Sequence, residues 1–154
     1  MTNPDELNAL ALRCEREEAS RMLDRAIAAA LGYEVKVIEI PEGHPMADVF
    51  KAGSGLEFMY RPGCDREGIP PWTSSLDAAV SLVPEGMVAA AIHYVPQLDP
   101  KMPASGVARV YSDDLESGRC TGRTAALALC AAALRARAAL AGDGAPADPP
   151  KVRE

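Results

Sequence analysis

Thr73-Ser74-Ser75 stands directly ahead of an apolar stretch, Leu76 to Val83, and hydroxyls in that place suit two jobs. At a helix start they accept from free backbone N–H groups, and the same N–H groups and the helix dipole also hold a phosphate. Asp77, three residues after Ser74, fits a capping box and would repel an added phosphate, and no glycine-rich loop accompanies the hydroxyls. Capping is therefore the plainer expectation for Thr73, Ser74 and Ser75, and anion binding the functional one. Trp72, the single tryptophan, either forms an exposed recognition surface or staples its loop to the core beside the helix it introduces.

His93 lies within the apolar run Met87 to Val95. It serves as a general base or ligand if Asp99, Asp113 or Asp114 returns to orient it, and otherwise as a part-buried histidine bonded to backbone. His44, in a proline and glycine loop, reads as exposed. Asp113, Asp114 and Glu116 offer oxygens to a cation but lack the ordered spacing of a calcium loop, so a solvated turn is expected and no metal site is assigned. Arg61, Arg66, Arg119 and Arg123 fall in loops and would suit an anionic ligand if the fold gathers them, against the opposing charge of Asp65, Glu67 and Glu116. Cys14, Cys64, Cys120 and Cys130 are too scattered for a zinc or CxxC redox motif, so buried or inert thiols are expected, in a cytosolic setting. No catalytic residue and no cofactor is assigned.

The length of the chain places these residues in one domain. The chain has 154 residues, 48% of them hydrophobic, with 16 basic against 22 acidic side chains for a net charge of -6. That length supports one core, and that balance disfavours broad capture of nucleic acid, which needs a clustered basic face. The start is polar, so no signal peptide is expected. The uncharged run Thr124 to Leu134 is shorter than the ~20 residues that span a bilayer, so no membrane association is expected either.

Apolar spacing predicts helix over Pro4 to Leu31, broken near Ala19, with Ser20 capping the second part and Gly32 ending it. Tyr33 to Ile40 alternates as a strand. Ala47 to Lys51 and Leu56 to Arg61 flank Gly53-Ser54-Gly55 as a hairpin, and 62–72 is loop. After the short helix beginning near Leu76, Met87 to Val95 reads as a central strand covered on both faces, followed by a strand at Val107 to Tyr111. Thr124 caps a last helix, Ala125 to about Ala141, whose alanine-rich circumference should touch two neighbours or a subunit interface. The tail 142–154 is expected to be disordered. The sum is an α/β domain over 1–141, a three-layer α/β/α sandwich with about five strands, with a two-layer α+β arrangement as the alternative.

The stretch Pro71 to Met87, PWTSSLDAAVSLVPEGM, resembles the signature of small phage and prophage proteins described as the phage ABA sandwich domain. LDRAIAAALGY over Leu23 to Tyr33 and ALALCAAALRA over Ala126 to Ala136 agree with it in order and spacing. The likeness runs over about residues 7 to 140, with Ile92 to Asp114 unmatched and Ala125 where many relatives have proline after the threonine. It implies an α/β/α sandwich and an accessory protein without an established reaction. The expectation is a non-enzymatic binder of a host protein or a small anionic ligand in the bacterial cytoplasm. Two other classes stand beside it, a small hydrolase or nucleotide-processing enzyme using His93 with a carboxylate, and a structural homo-oligomer joined through the C-terminal helix.

Overall fold

A computed structural model of the chain describes residues 3–39, 55–61, 67–94 and 105–143. Expectations that concern His44, the strand at 47–51, Cys64, Arg66, Asp99 and the tail beyond 143 lie outside them.

Helix α1 spans Pro4–Arg16, with Pro4 in its first turn, Asn3 as cap accepting from the Asp5 N–H at 2.9 Å, acids at its start and Arg13 and Arg16 at its end. Each of these choices follows from the unpaired N–H groups and dipole of a helix terminus. The chain then leaves helical geometry, and Ser20, accepting from Leu23 N–H at 3.1 Å, starts α2, Arg21–Ala30. Gly32 turns the chain out at φ +93°, a conformation that favours glycine. The break expected near Ala19 is present.

Strand β1, Glu34–Glu39, pairs antiparallel with β2, Gly55–Tyr60, in a register that sets Glu34 opposite Tyr60. The sequence pattern paired 56–61 with 47–51; its partner here is the first strand. A two-residue strand, β3, Glu67–Gly68, completes this sheet from within the segment expected to be loop. Helix α3, Leu76–Val80, is a single turn capped by Ser75, whose side chain accepts from Ala78 N–H. The cap is thus Ser75 rather than Ser74. The buried residues are Ala79 and Leu82, while Leu76 and Val80 face outward.

A second antiparallel sheet holds β4, Val88–Tyr94, β5, Ser105–Tyr111, and β6, Cys120–Gly122, in that order. Helix α4, Ala125–Asp143, follows, with Thr124 Oγ1 accepting from Leu127 N–H at 3.2 Å. The fold is therefore mixed α/β, with two three-stranded sheets among the described residues. The strand expected to be central and covered on both faces borders only β5 in this order. Its Ala89 and Ala91 pack on the core, whereas Val88 and Ile92 are 53% and 66% exposed. An apolar run shows that a strand is not repelled by burial, not how many of its faces are covered.

Helix α4 is the axis of the core. It packs against α1, α3 and all three strands of the second sheet, and Leu127 to Leu134 are buried without interruption. By length and composition Ala125–Gly142 would also suffice to cross a membrane, a stretch longer than the uncharged run alone suggests. Here that surface is taken up by the chain's own elements. Alanine permits this because its short side chain lets neighbouring backbones come near. The closest approach is at Gly106 and Gly122, which face each other across β5 and β6 beneath the helix start. A Cβ on Gly106 would collide with the Thr124 and Ala125 backbone, and one on Gly122 would stand 2.7 Å from Ala128 N. Gly122→Ala should therefore lower stability by about 1–3 kcal/mol through overpacking. Gly142→Ala, in open space on the same helix, should leave it unchanged or raise it slightly. Urea unfolding of the two variants reads the difference.

Candidate functional site

The hydroxyl cluster that most resembled a ligand site is part of the scaffold. Thr73 is fully buried, and its N–H and Oγ1 each lie 2.9 Å from Asp24 Oδ1. The Thr73 hydroxyl also accepts from Ser20 N–H at 3.2 Å. Asp24, 1% exposed on α2, turns its other oxygen to Arg21 Nη1 at 3.0 Å, and Arg21 Nη2 donates to Ile69 O at 2.9 Å. A buried carboxylate requires donors of this kind, and here they come from Thr73 in the loop and from Arg21 on α2 itself. Trp72 is buried as well. Its indole N–H donates to Ser81 Oγ at 3.0 Å, and its carbonyl accepts from the Cys130 thiol at 3.1 Å, so it staples the loop to α3 and α4. Ser74 is exposed and lies 3.4 Å from Pro71 O, and Ser75 is used as the cap. Thr73-Ser74-Ser75 thus forms a capped turn clasped by Asp24, the plainer of the two expectations for these hydroxyls.

A second polar cluster joins α1, β6 and α4. Arg135 pairs with Glu15 and donates to Cys120 Sγ at 3.0 Å, while the other Glu15 oxygen accepts from Thr121 N–H at 3.3 Å. Burial pushes the Cys120 thiol up, and the guanidinium beside it only partly offsets that. Burial also pushes Cys14 up to about 12 and raises Cys130. A thiol held above its ordinary range carries little thiolate at neutral pH and is a poor nucleophile. Cys14, Cys120 and Cys130 are all free and buried in the core.

Among the described residues, Arg61, Arg119 and Arg123 have separate settings rather than one shared site. Arg123 pairs with Glu18 at 2.7 Å, and Arg119 lies on the open face of the second sheet. That face bears a broad cleft of about 640 Å³, floored by Ala90, Ile92 and Val107. Its Arg109 is already engaged, 2.6 Å from Glu116 and over the Tyr111 ring. Glu116 is therefore spent on an ion pair, Asp113 and Asp114 are exposed in their turn, and no metal-ligating group of three acids, cysteines or histidines gathers among the described residues. The His93 backbone sits on β4 opposite Gly106, and its side chain lies outside the description.

Arg61 has a different setting. With Arg137 it lines a cleft of about 220 Å³ whose remaining wall is Leu31, Pro84, Leu140 and Ala141. Arg61 reaches this place from the end of β2, lying over the Tyr33 ring at 4.2 Å and donating to Leu31 O at 3.5 Å. Arg137 comes from α4, where its Nε donates to Leu82 O at 2.6 Å. Burial holds the Arg137 pKa below the ordinary arginine value; Tyr33 opposes this and the like charge of Arg61 adds to it. Among the described residues no carboxylate pairs with either side chain. Each guanidinium uses one of its five N–H donors on a carbonyl, so donors remain for a ligand.

Arg61 is among the binding residues expected from the sequence, and Arg137 is not. A signal existed: Arg135 and Arg137 are the only charged residues between Ala125 and Gly142, and two residues of helix separate them by about 200°. They must therefore face different neighbours, and they do, Glu15 on one side and the Leu82 turn on the other.

Compared with protein-family models, curated proteins and solved structures, the chain matches none. The residues themselves carry the functional argument.

Asp24→Ala would strand the buried Thr73 donors and should cost about 2–4 kcal/mol, read from the midpoint of chemical unfolding. Brief iodoacetamide treatment of the native protein at pH 8 should leave Cys14 and Cys130 unmodified, and both should react once it is unfolded. Peptide mass mapping distinguishes the two states.

Proposed function

We propose that the chain is a non-enzymatic binding protein for a small anion, held between Arg61 and Arg137. The observation that carries this reading is the sharing of one cleft by two guanidinium groups with no carboxylate partner among the described residues. Like charges brought together cost free energy, and an anion between them removes that cost and gains charge-assisted hydrogen bonds. The lining supports holding rather than turnover. Guanidinium groups orient and neutralise an anion, while the leucines, the alanine and the proline beside them supply no nucleophile or general base.

The pieces that resemble the phage ABA sandwich domain support placing this role in a phage or prophage accessory protein. A reducing bacterial cytoplasm suits its buried free thiols. The three-layer sandwich belongs to the same proposal: α4 is one layer beside the second sheet, and the layer opposite would cover Val88, Ala90 and Ile92, where a host protein or a second copy also has apolar surface to meet.

Isothermal titration of the full chain with inorganic phosphate at low ionic strength tests the cleft. Arg61→Ala should weaken binding about tenfold, the loss of one charge-assisted contact, and Arg137→Lys should weaken it less. Arg123→Ala should leave it unchanged. Phosphate that fails to bind, or that binds equally to all these variants, overturns the reading.

A further inference from the structure

We infer that the anion carries two negative charges on one group, as a phosphomonoester does, and that the cleft takes this phosphoryl end with little else. The inference rests on the anion-binding reading and goes beyond it in naming the ligand class. The cleft presents two guanidinium groups, Arg61 and Arg137, from separate elements, β2's end and α4. A carboxylate or a phosphodiester would neutralise only one of them. A phosphomonoester, with a second pKa of about 6, is a dianion near neutral pH and matches both.

Geometry points the same way. Arg137 is oriented by its 2.6 Å bond from Nε to Leu82 O, which leaves its two terminal nitrogens to offer donors. Arg61 is oriented by the Tyr33 ring beneath it. Two guanidinium groups approaching from different sides suit a tetrahedral group with three terminal oxygens better than a flat carboxylate, which one arginine fork satisfies alone. Size restricts the rest of the ligand. A volume of about 220 Å³ lies below the ~300–1,000 Å³ of clefts that enclose drug-sized molecules. Leu31, Pro84 and Leu140 then lie against the first atoms of whatever bears the phosphate.

The test uses the full, uniformly ¹⁵N-labelled chain at pH 7.5 and low ionic strength. Methyl phosphate, dimethyl phosphate and acetate are titrated separately while the side-chain Nε–H signals of Arg61 and Arg137 are followed. Methyl phosphate should saturate both signals at about one tenth of the concentration that dimethyl phosphate requires, since the diester lacks the second charge. Acetate should behave like the diester. Equal affinities for methyl and dimethyl phosphate overturn the dianion inference and leave the anion cleft standing. No response of the two arginines to any of the three overturns both. A phosphoserine tripeptide separates the sources: tighter binding than methyl phosphate assigns the group to a protein, and equal or weaker binding assigns it to a small molecule. Either result upholds the dianion inference provided the methyl and dimethyl esters differ.

Discussion

An alanine-rich helix can occupy the centre of a core only where its neighbours approach its backbone closely, because short side chains cannot reach across a gap. Helix α4 meets that constraint on each side. Beneath its first turn, Gly106 and Gly122 remove the Cβ atoms that would hold the second sheet away. Along its middle, Leu127, Leu129 and Leu134 fill what the alanines leave, against α1, α3 and the strands. The two charges that interrupt its apolar surface then have to leave the core in opposite directions. Arg135 meets Glu15, and Arg137 emerges at the Leu82 turn. The proposed anion cleft is in this sense a product of the central helix.

The second determinant is the buried carboxylate of Asp24. It receives the Thr73 N–H and hydroxyl and the Arg21 guanidinium, and through Arg21 it reaches the Ile69 carbonyl. Because a buried carboxylate without donors would be costly, this set of bonds fixes the loop ahead of α3 against the start of α2. Trp72 and Thr73 are thereby withdrawn from solvent. The cluster that looked most like a phosphate site in the sequence has its hydrogen bonds satisfied internally.

The two clefts differ in what they ask of a ligand. On the open face of the second sheet the cation Arg109 is already matched by Glu116, and the floor is apolar. Between Leu31 and Leu140 the volume is smaller, but two cations face it with no acid among the described residues. Volume alone favours the first cleft. Uncompensated charge favours the second, and for a small ligand a directed charge discriminates better than apolar area.

Much of the scaffold was determined by the sequence alone. Helix α1, the break before Ser20, the strand after Gly32 and the last helix after Thr124 all follow from local rules, since caps, glycine stops and apolar periods act within a few residues. The burial of Cys14 and Cys130 follows from the same apolar periods. Relations between distant residues were settled by long-range packing. That 55–60 pairs with 34–39, that two brief strands join the sheets, and that Val88 and Ile92 face outward depend on which segments meet. The same holds for the site. Nothing local distinguishes Thr73, whose hydroxyl is claimed by an aspartate 49 positions away, from a free one, and nothing local brings Arg61 to Arg137. Capping and periodicity are short-range; a cleft is made by long-range packing, and its chemistry becomes legible only once that packing is known.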